Sequence, residues 1–264
     1  MPNSAQPQPV RCRERAAADG GSKPRGRICE IFASIQGEGL FCGQRQTFVR
    51  FAGCNLDCRY CDTPSAREAY PGFCRVETSP AAGLFRDVGN PVSVETILRS
   101  CRRLGSRAVT LTGGEPLLQP DFAAALAHAL AKQSYQVHLE TNGTLHEALP
   151  TILPSLAVIA MDVKMPGAAG LELWDRHERF LDVAAGSDTV VFVKAVVSSE
   201  TTESEIDRCA ALIASRNRSI PLVIQPVAGE TVDGRRLIGL QEVALARIDD
   251  VRVIPQCHRM LGLP

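Results

Sequence analysis

From Arg107 onward, short β-branched runs alternate with helical patterns, and no other feature limits the fold as strongly. The strand-like runs are "RAVTLT", "QVHLET", "LAVIAMDVK", "TVVFVKAVV", "PLVIQPV" and "DDVRVIPQ". Between them lie "PDFAAALAHALAKQ", "LHEALPTIL", "ELWDRHERFLDVA" and "ESEIDRCAALIAS". Strands that are apolar almost throughout belong to a sheet covered on both faces, and helices between them at this pitch imply parallel βαβ units. An earlier run, "TFVRFAG", adds a strand at residues 47–53. The pattern predicts an α/β fold with about six parallel strands. That is too few for a closed eight-stranded barrel and suits a partial, open (β/α) barrel.

At 264 residues the chain has the length of one such domain. Residues 1–26 are rich in Pro, Gly, Ser and Arg without apolar periodicity, so they read as a disordered N-terminal extension, with residues 27–264 as the folded domain. Lys plus Arg and Asp plus Glu both number 29, which argues against a nucleic acid or a membrane surface as partner and favours a small molecule. No apolar run approaches the ~18 residues of a membrane span, and the N-terminal stretch lacks a secretory core, so a cytoplasmic protein is expected. Ten cysteines in that compartment should be reduced thiols, and a tight cluster of them signals metal or redox chemistry.

In open α/β sheets the reactive loops follow the carboxyl ends of the strands. Here they are polar and glycine-rich: "CNLDCRYCDT", "TGGEP", "ETNGT", "DVKMPG" and "QPVAG". The first carries Cys54, Cys58 and Cys61 in C-x3-C-x2-C spacing. Thiolates suit zinc and iron–sulfur clusters alike, and a structural zinc or a cubane of four irons usually takes four of them. Three leave one coordination position open, which is useful where a substrate must bind there. A zinc site completed by His258 or Cys257 is the structural alternative.

The spacing, with an aromatic residue before the last cysteine and GGEP one strand later, resembles the radical S-adenosylmethionine (SAM) enzymes. The resemblance implies a 4Fe-4S cluster on Cys54, Cys58 and Cys61, whose open iron is chelated by the amino and carboxylate groups of SAM. Reductive cleavage then gives a 5′-deoxyadenosyl radical, with an electron donor such as flavodoxin or ferredoxin. A narrower resemblance covers most of residues 28–264 through "IFASIQGEGLFCGQRQTFVRFAGCNLDCRYCDT", "LTGGEPLLQ", "ETNGT" and "IPQCHRMLGLP". These stretches look like the 7-carboxy-7-deazaguanine synthase family. That family's enzymes are homodimeric lyases that contract the ring of 6-carboxy-5,6,7,8-tetrahydropterin with loss of ammonia, need Mg²⁺, and serve queuosine and 7-deazapurine biosynthesis. The chain departs from the family pattern in its N-terminal tail and in the long segment "SAREAYPGFCRVETSPAAGLFRDVGN". Glycyl-radical activating enzymes share the cysteine spacing and a similar partial barrel but act on a protein backbone; a zinc-stabilised binding module is the non-enzymatic alternative.

The resemblance also assigns roles by position. SAM falls to Tyr60, Cys61, Asp62, Gly114, Glu115, the segment Asp162, Val163 and Lys164 through mainly backbone contact, and Gln225, Pro226, Val227 and Ala228. Lys164 reads equally as a rim salt bridge. Substrate falls to Gln36, Gly37, Glu38, Arg50, Thr112, His258 and the carboxylate of Pro264. A pterin's 2-amino-4-oxo edge presents adjacent N–H donors that a carboxylate accepts and an amide complements, which suits Glu38 and Gln36. Arg50 suits bidentate pairing with the substrate carboxylate. Thr63 would by default cap the next segment; by resemblance its hydroxyl ligates Mg²⁺. The radical comes from SAM, so no side chain is assigned as catalytic. His128, His138, His146 and His177, and the other seven cysteines, read as structural.

Overall fold

The computed structural model describes residues 24–230 and 232–263. Its strands are β1 (Arg25–Gly26), β2 (Ile28–Ile35), β3 (Arg45–Phe51), β4 (Phe73–Glu77), β5 (Phe85–Gly89), β6 (Val92–Ser93), β7 (Ala108–Gly113), β8 (Gln136–Thr141), β9 (Val158–Val163), β10 (Val190–Val197), β11 (Leu222–Pro226) and β12 (Val251–Val253). Ten of them form one sheet in the order β12-β11-β10-β9-β8-β7-β3-β2-β4-β5. From β3 through β7 to β12 every pairing is parallel, which makes seven parallel strands, and the edges β12 and β5 do not meet. The expected open (β/α) architecture is therefore present, with three further strands at one edge.

Those three strands lie in stretches that the apolar pattern did not mark. β2 runs antiparallel to β3, β4 runs parallel to β2, and β5 returns antiparallel to β4. The long segment after the cysteines is thus a hairpin that widens the sheet. Buried Glu77 secures it by accepting from the Ala33 amide at 2.9 Å, and the Asn90 side chain bonds both the amide and the carbonyl of Ile28. Arg25 and Gly26 pair with Ser93 and Val92, so these two residues of the expected extension belong to the fold; residues 1–23 lie outside the described residues.

The helices are α1 (Val94–Leu104), α2 (Pro120–Ala131), α3 (Leu149–Ile152), α4 (Pro166–Ala169), α5 (Trp174–Ala185), α6 (Glu203–Ala214), α7 (Gly234–Leu245) and α8 (Cys257–Met260). α1 and α7 were not read from the sequence, although both carry start signals: Ser93 accepts from the Thr96 amide and Asp233 from the Arg235 amide. α6 opens with a reciprocal capping box between Thr202 and Glu205. "LHEALPTIL" gives only the four residues of α3 and a following 3-10 turn, because Pro154 lacks the N–H that a longer helix needs. Alternate residues of the parallel strands, such as Val109 and Leu111 or Leu139, pack with the helices in one continuous core. Among the described residues no helix is long and apolar enough to cross a membrane.

Candidate active site

The other face of the sheet encloses a cavity of about 1090 Å³, open at the carboxyl ends of the strands. All five predicted loops reach it, and the C-terminal segment joins them. Cys54, Cys58, Tyr60, Cys61, Asp62 and Thr63 line one side; Gly114, Asp162, Lys164, Gln225, Pro226, Val227 and Ala228 continue the rim; Gln36, Gly37, Glu38, Arg50, Thr112 and His258 complete the wall. Two predicted residues do not reach the wall. Val163 is buried in the core with its side chain turned away, so only its backbone is offered. Glu115 is fully buried, and Pro264 lies outside the described residues.

Glycines fix how the cysteine loop meets its neighbour. The carbonyls of Phe51 and Gly53 accept from the amides of Gly114 and Glu115 at 3.1 and 2.8 Å, and a Cβ on Gly114 would run into the Gly53 carbonyl. Gly113 has φ +119°, which a side chain rarely tolerates. Below this junction Glu115 accepts from the amides of Leu117 and Asn142 and from the Thr141 hydroxyl. Burial pushes its pKa up to about 7 against the pull of those donors. Its carboxylate therefore locks the GGEP loop to the next loop. Asn142, held there, donates to Asn55 Oδ1 at 2.8 Å within the cysteine loop.

The three thiols are half-buried and free of disulfides. Burial raises the pKa of Cys54 and Cys58, and the Lys164 ammonium works against it. Among the described residues the one group of three or more metal-ligating side chains with atoms within 4.8 Å of each other is Glu38, Asp62 and His258. Neither His258 nor Cys257 joins the three thiols in such a group, which a closed tetrahedral zinc site would require. Three free thiols lining one cavity, without a fourth protein ligand among the described residues, fit an iron–sulfur cluster that keeps one position open.

On the opposite wall, Gln36 Nε2 donates to Glu140 Oε1 at 2.8 Å and Thr112 Oγ1 donates to Glu140 Oε2 at 2.6 Å. Glu38 Oε1 accepts from Gln256 Nε2 at 2.6 Å, and Glu38 Oε2 accepts from the Lys194 ammonium. Burial would raise the Glu38 pKa, but Lys194, Gln256 and His258 outweigh it and hold the pKa down at about 2. Lys164 pairs with Asp162 at 2.8 Å, the rim salt bridge that was its alternative reading, and its pKa is raised well above the ordinary value although burial opposes this. His177 sits beneath, accepting from the Lys164 amide at 3.1 Å and bonding the Gly143 carbonyl at 3.2 Å. The Thr63 hydroxyl does not cap the turn that follows it, contrary to its default reading, and remains available to the cavity.

Sequence reasoning missed Glu140, Lys194, Gln256 and Glu30. The first two had a signal: a charge ending the apolar run "VHLE" and another inside "VVFVKAVV". Burying such a charge needs a partner, and the partner is where function concentrates.

Comparison with known proteins gives the same reading. The radical SAM superfamily profile matches residues 48–184. The chain is 40% identical over 252 residues to a 7-carboxy-7-deazaguanine synthase from Geobacter sulfurreducens, covering 91% of this chain and 99% of that protein. It is 36% identical to another from Archaeoglobus fulgidus, covering 90% and 99%. Its fold matches the crystal structure of QueE from Escherichia coli with a TM-score of 0.60 at 24% identity, over 89% of this chain and 95% of that one. The cysteine loop, the glycine junction and these likenesses agree: the chain belongs to the 7-carboxy-7-deazaguanine synthase family of the radical SAM superfamily.

Proposed function

We propose that the protein catalyses the Mg²⁺-dependent ring contraction of 6-carboxy-5,6,7,8-tetrahydropterin to 7-carboxy-7-deazaguanine with loss of ammonia. The observation that carries this is the meeting, in one cavity, of the three-thiol loop with a polar wall suited to a pterin. When bound, the 4Fe-4S cluster and SAM supply the radical that starts the reaction. Cys54, Cys58 and Cys61 would hold the cluster, and Tyr60, Asp62, Gly114 and the rim residues Asp162, Lys164, Gln225 and Pro226 would hold SAM.

The chain's own residues bind and orient the substrate. Glu38, kept ionised by Lys194, accepts from the pterin's N–H edge, with Gln36 beside it. Arg50 Nε is engaged by Glu30 at 2.7 Å, which leaves the outer guanidinium nitrogens for the substrate carboxylate. Thr112 and Glu140 form a hydrogen-bonded unit on the same wall, and the Thr63 hydroxyl is a ligand for Mg²⁺. His258, held at the cavity by the Cys257 amide's 2.9 Å bond to the Gly37 carbonyl, closes the site. The chain from Arg25 onward acts as one domain. Flavodoxin or ferredoxin as electron donor, a homodimer and a cytoplasmic location complete the reading.

The test is anaerobic turnover with SAM, a reductant, Mg²⁺ and 6-carboxytetrahydropterin. A deazapurine chromophore is expected, together with about four irons per chain. A colourless zinc protein, or SAM cleavage without deazapurine, would overturn the assignment.

A further inference from the structure

Lys194 lies in β10 among seven apolar or small residues, and the side chain is only 7% exposed. It lines the cavity beside Glu38. An ammonium has three N–H donors, and among the described residues its one hydrogen bond is to Glu38, with the carboxylate of Asp162 in register beside it on β9 and already paired with Lys164. A cation this buried with two idle donors is costly unless something else in the cavity accepts from it.

The pterin edge supplies what is missing. In its lactam form it presents two kinds of group side by side: N3–H and the 2-amino group are donors, and the 4-oxo oxygen is an acceptor. Glu38 accepts and so serves only the donors. The amides nearby are already engaged: Gln256 Nε2 on Glu38 and Asp62, and Gln36 Nε2 on Glu140. Lys194 remains on the rigid sheet as the donor adjacent to the carboxylate, whereas His258 sits on the C-terminal segment.

We infer that Lys194 is a substrate-binding and specificity-determining residue: it donates to the 4-oxo oxygen while its ion partner Glu38 accepts from N3–H and the 2-amino group. The pair then reads the lactam edge as a unit. A 4-amino group would point a donor at an ammonium, and such mispairing is rejected far more strongly than a missing methylene. This inference rests on the pterin assignment made above.

The experiment compares the carboxytetrahydropterin with its 4-amino analogue, the first as substrate and the second as competitive inhibitor. Wild-type enzyme should bind the analogue roughly 100-fold more weakly than the substrate. Lys194→Met should raise the KM for the substrate by about 10- to 100-fold and cut the discrimination by about 10-fold, the remainder coming from Glu38 at N3. Lys194→Arg, which keeps the charge and donors, should retain most of the discrimination. Glu38→Gln should weaken substrate binding and also narrow the ratio, because the 4-amino form has no N3–H for Glu38 to accept, whereas His258→Gln should preserve the ratio. Iron content and melting temperature show whether each variant is folded, and Lys194→Gln replaces the Met variant if that one is not.

If wild-type enzyme fails to convert the carboxytetrahydropterin, the substrate assignment falls and takes this role with it. If wild-type enzyme converts it and Lys194→Met still discriminates as wild type does, or if His258→Gln abolishes the discrimination instead, the Lys194 role alone is overturned.

Discussion

Glu30 and Arg50 face each other across the β2–β3 ladder, and the guanidinium Nε donates to the carboxylate at 2.7 Å. The Phe32 ring lies 5.5 Å from the guanidinium carbon, so the group is gripped from the side and from beneath. Glu30→Ala should release that grip and raise the KM for the carboxylated substrate by about 10-fold, with kcat changed by less than about 3-fold. Steady-state kinetics check this, and an unaltered KM would show that Arg50 needs no such support.

The cluster loop makes a second prediction. Changing Cys54, Cys58 or Cys61 to Ala should remove most of the bound iron and abolish SAM cleavage, since only two protein thiolates remain. Cys101, buried in the core, should tolerate Ala at a cost of about 1 kcal/mol in stability with iron retained. Iron analysis of anaerobically reconstituted variants separates the two classes.

Thr63→Ala should weaken the Mg²⁺ dependence of turnover while iron content stays at the wild-type level, because Thr63 lines the cavity and its hydroxyl does not cap its own turn. A Mg²⁺ titration indistinguishable from wild type would remove Thr63 from the metal site.

Gly114→Ala places a methyl group against the Gly53 carbonyl oxygen, and neither backbone can yield without breaking the hydrogen bond from Glu115 to that same carbonyl. The expected loss is about 3 kcal/mol or more, measurable by denaturant unfolding of the apo-protein. Gly234→Ala, where a Cβ would meet nothing within 4 Å, is the matched control and should be neutral or slightly stabilising.

Acid should destabilise the protein partly through His138. Burial holds its pKa at about 4, below the ordinary 6.5, and its Nε2 has no partner. Below pH 6.5 the unfolded chain takes up a proton that the folded one refuses, so this contribution is constant above about pH 6.5 and falls by up to about 3 kcal/mol towards pH 4. His177, also held near 4 by burial, acts in the same direction, whereas Glu115, raised to about 7, acts in the opposite one. The difference in slope between wild type and His138→Gln isolates the first effect: the variant should lose less stability between pH 6.5 and 4.

Much of this site was legible because its parts sit where strands end. "TGGEP", "ETNGT" and the cysteine loop follow apolar runs that read as parallel strands, and topology alone brings such loops to one rim. What was hidden depends on partners distant in sequence. "CEIFASI" mixes polar and apolar residues without clear alternation, and nothing local tells that Glu30 will face Arg50 or that an extra hairpin will pair beside it. Lys194 was read as one letter of a strand, because its importance comes from Glu38, 156 positions away. Glu115 shows the reverse: its motif is recognisable from sequence, yet its carboxylate is turned inward onto Asn142.

The bond from Gln256 to Glu38 spans 218 positions of chain. Neither residue can find the other until β3 and the strands from β7 to β12 have stacked in register, since that array sets the distance between them. Contacts of such sequence separation are slow to form and carry little reward before the intervening strands are placed. The Glu38–Gln256 clasp is therefore expected to close late, whereas Arg50, Thr112, Glu140 and Lys194 come into place with the strands that carry them, so a chain arrested at the parallel array would lack only this last tie across the site.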